Sequence, residues 1–276
     1  MMREITLGQF YQTDSILHRL DPRVKITGTL VFIITLFIAG NIPAYAVATV
    51  FLAAMILLSR VPFSFIVRGM KAVVLILLVT VIFNLFLTPG IPLFTFAGIS
   101  ITNEGLRSAG YTAVRLTYLI IGSSLMTLTT TPNNLTDGLE KLMRPLGVIN
   151  VPVHEIAMMM SIALRFIPIL MEETDKIMKA QLSRGADFES GGLIKKAKAL
   201  IPLLIPLFVS AFRRANDLAM AMEARCYHGG EGRTKMKPLK YNRRDAAAYV
   251  VLLLYLVLCV LAQRFGRIMI MESWTA

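Results

Sequence analysis

Apolar residues in this chain fall in long runs separated by short polar breaks, and the run lengths predict the elements. Residues 26–40 (ITGTLVFIITLFIAG) and 43–58 (PAYAVATVFLAAMILL) are two such runs, joined by a break too short for anything but a tight turn. Residues 72–88 and 246–262 are two more, and 111–129 is a weaker one interrupted by Arg115, serines and threonines. A spanning helix needs about 20 mostly apolar residues, with about 17 near the lower limit. The pattern therefore predicts an all-α polytopic membrane protein with about five transmembrane helices.

The stretch 131–245 reads differently. Its apolar segments are shorter and broken by charge. Residues 155–185 begin nearly membrane-like and turn amphipathic after Pro168; residues 198–226 do the same, with Pro202 and Pro206 in the apolar half. Apolar runs of about 10–14 residues fit interfacial or core helices better than spans. This region is expected to be a cytosolic domain of long helices lying against the membrane, with a Gly-containing turn at 188–194 between them. The prolines are expected to kink both helices. In the loop 89–110 the alternation LFTFAGISIT predicts a small β-hairpin.

Composition agrees with the pattern. Of 276 residues, 55% are hydrophobic and only 17% charged, with mean hydropathy +0.64. A soluble domain carries roughly a quarter charged residues, so an ordinary soluble enzyme and a disordered tail are both disfavoured. The net charge of +12 is unevenly placed. The N-terminal 25 residues, the 59–71 loop and 131–245 hold 25 of the 29 Lys and Arg. Lys and Arg accumulate in cytosolic loops. That rule puts the N-terminus and 131–245 in the cytosol and the C-terminus outside. The expected organisation is a cytosolic arm (1–25), a four-helix membrane region (26–130), a cytosolic domain of long helices (131–245), and a last membrane helix with a tail (246–276). The N-terminus lacks the pattern of a cleaved signal. Cys226 and Cys259 form no disulfide or metal pattern and read as free thiols.

Motifs for chemistry are sparse. No phosphate-binding G-x-x-x-x-G-K-[ST] loop and no G-x-G-x-x-G is present. His18, His154 and His228 lie far apart in sequence and suggest no metal or catalytic set. Within the spans the ionisable residue is Arg115, whose stem can snorkel to the interface. Asn84 suits a helix–helix hydrogen bond at least as well as a substrate contact. The membrane part is thus poor in the groups a proton- or sodium-driven pump needs.

The informative feature is a repeated helix end. One long helix runs into Ser183-Arg184-Gly185 and the other into Ala224-Arg225-Cys226, followed by Gly229 and Gly230. Glycine just past a helix supplies the left-handed conformation that stops it, and a cation there complements the macrodipole. Two readings fit. The arginines are ordinary C-terminal cap cations, or each is presented between small residues to enter a partner's groove with forked, charge-assisted bonds. Met158, Met159 and Met160 likewise read either as an adaptable interface or as filler between helices. Asp21, Pro22, Arg23 and Lys25 read as an anchor of the first span at the inner surface or as solvated interfacial charge.

At this point the chain resembles the transmembrane T component of energy-coupling factor (ECF) transporters, the CbiQ/EcfT family of ABC-type importers. The matching pieces are LDPRVKI (20–26), LRFIPIL (164–170), AQLSRG (180–185) and RANDLAMAMEARCYHGG (214–230). The resemblance implies a scaffold with no catalysis and no bound cofactor of its own. Its two Ala-Arg-Gly-type motifs, matched here by Ser183, Arg184, Gly185 and by Ala224, Arg225, Cys226, would dock into two homologous ATPase subunits, which would carry ATP and Mg. Here Ser replaces Ala in the first motif and Cys replaces Gly in the second. One or more substrate-binding S components, with Met158–Met160 as a candidate contact, would complete an importer of vitamins or other micronutrients in a prokaryotic plasma membrane. Membrane lipid is an expected partner and nucleic acid is not. The alternatives are a stand-alone secondary transporter, a membrane-embedded enzyme or assembly factor, and a T component of a dedicated cobalt or nickel importer.

Overall fold

The computed structural model describes residues 10–96, 99–188, 192–230, 236 and 238–275. It is helical throughout except for one hairpin. In chain order the helices are α1 (Pro22–Ile38), α2 (Ile42–Ser59), α3 (Phe63–Leu87), α4 (Asn103–Thr129), α5 (Pro132–Met143), α6 (Val153–Ser183), α7 (Leu193–Glu223) and α8 (Arg243–Thr275), with a short 3-10 turn at Arg144–Ile149. The expected hairpin is present between α3 and α4: β1 (Pro92–Phe96) pairs antiparallel with β2 (Ile99–Thr102). Part of the expected 188–194 turn, residues 189–191, lies outside the described residues.

Several helices outrun their apolar stretches. α3 starts at Phe63, so the segment holding Arg68 and Lys71 is helix rather than loop; α4 starts at Asn103 and α8 reaches Thr275. Hydropathy marks membrane depth, whereas the helix continues wherever its i→i−4 ladder can. By length and composition, three described segments are able to cross a membrane: Ile42–Ser59, Val153–Ser183 and Arg243–Gly266. α6 is among them, although the sequence reading laid it against the membrane. Its first half places few charges in a long apolar window, and its charged half comes after Pro168.

The chain divides into two units, residues 1–141 with 239–276, and residues 142–238. α5 therefore falls almost wholly in the first unit, where a side chain at Gly138 would sit 2.9 Å from the Pro22 ring.

In the first unit α1, α2, α4 and α8 pack around Phe32, Leu36, Leu52, Leu125 and Tyr255. The Phe51 and Tyr255 rings stack at 4.1 Å, with Phe32 about 6 Å from both. Polar groups here are satisfied between helices. The Thr35 hydroxyl donates to the Phe32 carbonyl (2.8 Å), so the Tyr255 hydroxyl donates to Thr35 Oγ1 (2.7 Å). Close crossing needs small residues, as between membrane helices generally: a Cβ on Gly122 would lie 2.7 Å from the Phe32 ring. Asn84 bonds its own helix at Thr80 O and accepts from Ser108 Oγ across to α4 (3.3 Å), the helix–helix role.

Gly122→Val should lower the melting temperature of the purified protein, at a cost of about 1–3 kcal/mol for overpacking against Phe32. Gly110→Ala, where no atom lies within 4 Å, should be neutral or stabilise by up to about 1 kcal/mol through helix propensity. Equal effects at both sites would contradict this packing.

Candidate functional site

In the second unit α6 and α7 lie antiparallel. Late α6 meets early α7 through Gln181 Nε2, which donates to the Pro202 carbonyl (3.4 Å). Mid-α6 meets mid-α7 through Arg214 Nη2 and Glu173 Oε2 (3.4 Å). The beginning of α6 approaches the segment after α7, where a side chain on Gly230 would collide with the His154 ring. Both helices continue through their prolines. Pro206 has no N–H to offer the carbonyl four residues earlier, which is that of Pro202. Gln181 supplies a donor to the group that proline chemistry leaves without one.

The two arginine-bearing ends have the same main-chain geometry. At the first, the N–H groups of Arg184 and Ala186 both donate to Gln181 O (3.0 Å each), and Gly185 N–H donates to Leu182 O (3.0 Å). At the second, Arg225 and Tyr227 donate to Met222 O (3.1 Å each), and Cys226 donates to Glu223 O (2.8 Å). Each is a Schellman closure, in which the residue after the cap turns left-handed and the next N–H reaches back five residues. The left-handed residue follows the arginine in both: Gly185 at φ 85° and Cys226 at φ 56°. This corrects the expectation that Gly229 and Gly230 stop the second helix. Gly229 is left-handed too, at φ 99°, but it comes after the closure; Cys226 makes the turn despite its side chain.

Ser183, Arg184, Gly185, Ala224, Arg225 and Cys226 are all exposed. The closures aim both guanidinium-bearing residues off the ends of an antiparallel pair, so the tips lie at opposite ends of it. The stretch of α7 from Pro202, beside Gln181, to Arg225 rises roughly 35 Å at about 1.5 Å per residue. Met159 and Met160 are exposed and Met158 is half-buried. The expected apolar half of α7 presents an open face, where Ile201, Ile205, Phe208 and Phe212, at i, i+4, i+7, i+11 spacing, are 49–68% exposed.

Asp21, Pro22, Arg23 and Lys25 form a packed junction rather than solvated charge. Asp21 is 7% exposed and caps α1 by accepting from Arg23 N–H (2.9 Å). The Arg23 guanidinium forks onto the same carboxylate (3.0 and 2.8 Å) and covers the Tyr241 ring at 3.7 Å. Asp21 N–H donates to the buried carboxylate of Asp245 (2.9 Å), whose other oxygen accepts from Asn242 N–H (2.8 Å). Lys25 Nζ donates to the carbonyls of Thr129 (2.8 Å) and His18 (3.3 Å). One cluster thus ties the starts of α1 and α8 to the end of α4. Burial of Asp21 alone would raise its carboxyl, but the bonds from the Arg23 side chain and main chain hold it below the ordinary 3.8. Burial pushes the Lys25 ammonium down to about 8, against the pull of Asp21 and Asp245.

The Arg115 guanidinium reaches the end of α1. Its Nε donates to Leu36 O and Tyr45 Oη, and its Nη2 to Ala39 O, all at 3.1 Å. It covers the last carbonyls of α1, groups that a helix end always leaves without intrahelical donors. Among the described residues no three His, Cys, Asp or Glu come together as a metal site. Cys226 and Cys259 are free, one exposed and the other buried.

Comparison with known proteins adds independent observations. Residues 13–236 match the family model CbiQ, described as cobalt transport protein. Three relatives share the printed name "Energy-coupling factor transporter transmembrane protein EcfT". One from Clostridium kluyveri is 53% identical over 265 residues, covering 95% of this chain and 98% of that protein. One from Thermosediminibacter oceani is 51% identical over 249 residues, covering 90% and 94%. One from Bacillus subtilis is 46% identical over 254 residues, covering 92% and 96%.

Cys226→Gly should stabilise the second helix end by about 1 kcal/mol, and Gly185→Ala should weaken the first by about 1–2 kcal/mol, because L-residues are disfavoured in the left-handed region. Thermal unfolding of the two variants checks both signs. Because the Asp21 carboxyl sits below its ordinary value, its contribution is complete above about pH 4 and is lost as pH falls through the folded-state value. Wild type should therefore lose melting temperature faster than Asp21→Asn below pH 4; parallel acid limbs would contradict the pairing.

Proposed function

Because the chain belongs to the CbiQ/EcfT family, as a transmembrane component of energy-coupling factor transporters, we propose that it couples two partner ATPase subunits to a substrate-binding S component. The observation that carries this reading is the pair of exposed arginine tips with one shared closure geometry. Two like tips suit two like grooves. A guanidinium offers forked donors to carboxylates or carbonyls, and its small neighbours let a partner's wall come close.

In this reading ATP and Mg bind the partners, and the chemistry of hydrolysis is theirs. Closure of the ATPase pair draws the tips together, and reopening releases them. Each tip ends a 31-residue helix, so movement at the arginine is transmitted along a rigid lever. The apolar face of α7 around Ile205 and Phe208, with Met159 and Met160 on α6, forms the surface against which the S component rocks to deliver its micronutrient. The basic segments face the cytosol of a prokaryotic cell, where the ATPases work.

The description of the matching family as cobalt transport favours a second reading, a T component dedicated to a cobalt importer. Affinity purification of the intact complex distinguishes the two: several different S components indicate a shared vitamin system, and a single metal-specific one indicates the dedicated system.

Replacing both Arg184 and Arg225 with Ala should abolish ATP-driven uptake or co-purification of the ATPases, while leaving the folding stability within about 0.5 kcal/mol of wild type, as at other exposed positions. Full uptake by an intact complex in the double variant would refute the assignment.

A further inference from the structure

The first unit contains a cavity of about 340 Å³ that the coupling role does not use, bounded by α1, α2, α4 and α8. Its walls are apolar, with Phe32, Leu52, Leu125 and Leu252 among them, and small residues such as Gly28 and Ala248 make the room. It has a chemical direction. α1 and α8 begin at one end of the bundle, where α2 and α4 finish. At that end the lining includes two cations, Lys25 and Arg244. From Lys25 to Phe32 the cavity follows α1 inward for roughly 10 Å at about 1.5 Å per residue. Ile16 and Leu58, also in the lining, are 58% and 41% exposed, so the cavity reaches the surface of the bundle.

Lys25 feels the nearby carboxylates of Asp21 and Asp245 without a direct bond to either. Lys25 has three donors; two are engaged by the Thr129 and His18 carbonyls and one remains. No carboxylate lies in hydrogen-bond contact with Lys25 among the described residues; Asp21 is forked by Arg23 and Asp245 holds two backbone N–H groups. Burial lowers the Lys25 ammonium to about 8, and a bound anion would raise it again by favouring the charged form. Arg244 is exposed, and its side chain makes no hydrogen bond or ion pair among the described residues.

A soluble anion would answer the cations and leave the apolar walls unused. Water finds few partners on such walls, and a neutral apolar molecule would leave the cations unpaired. We propose that an anionic phospholipid occupies this site, with one acyl chain in the cavity and its phosphate between Lys25 and Arg244. The surrounding bilayer supplies it through the exposed rim.

Native mass spectrometry of the full-length, delipidated protein titrated with phosphatidylglycerol or with phosphatidylcholine of the same chains tests this. One phosphatidylglycerol should be retained about fivefold more tightly, the scale of one basic residue at an anionic lipid surface. Arg244→Gln, at an exposed position where folding is not at stake, should remove that preference. Ala248→Leu, which fills the cavity, should weaken retention of both lipids. Equal retention of the two lipids by the wild-type protein would overturn the proposal. So would competition by water-soluble glycerophosphate as strong as that of the lipid, since the site would then read phosphate alone.

Discussion

A helix leaves about four N–H groups at its start and four carbonyls at its end without partners inside it, and next to lipid water cannot make up the deficit. The first unit is organised around that constraint. Asp21 caps α1; Asp245 takes the N–H groups of Asp21 and Asn242; Lys25 covers the last carbonyl of α4; Arg115 covers the end of α1. Each of these residues is charged, and each is directed at main chain rather than at a substrate path. The apolar core around Phe32 and Tyr255 supplies the area, but these polar contacts decide which helix ends meet.

The second unit applies the same constraint to a different purpose. Its two long helices close with matching Schellman turns, in which the chain's own N–H groups answer the carbonyls of Gln181 and Leu182 at one end and of Met222 and Glu223 at the other. The arginine side chains remain exposed beside these closures. Gln181 works at the meeting point, with its carbonyl inside the first closure and its side chain on the carbonyl that Pro206 leaves without a donor.

Much of this was legible beforehand. The membrane class, the hairpin, the long helices and the two arginine motifs follow from run length, alternation and repeated short motifs, all of which are local. The family likeness rested on those motifs and is matched by relatives across nearly the whole chain. What escaped were features made by partners distant in sequence. Asp245 lies 224 positions from Asp21, and Arg115 lies 79 from Leu36, so nothing beside either residue announced its role. The left-handed Cys226 escaped for another reason: a non-glycine residue at positive φ has no compositional mark, and two glycines shortly after it offered a more ordinary stop.

By itself the sequence determined where helices would form and which side chains could carry charge into or beside a membrane, because burial in lipid and helical periodicity act over a few turns. Only the tertiary structure decided what the charges do. Arg115 and Lys25 look alike to a hydropathy scan, yet one closes α1 and the other ties α4 to the start of α1. An ionisable group in low dielectric takes its meaning from the nearest polar atom, and that atom is brought by the fold from another helix.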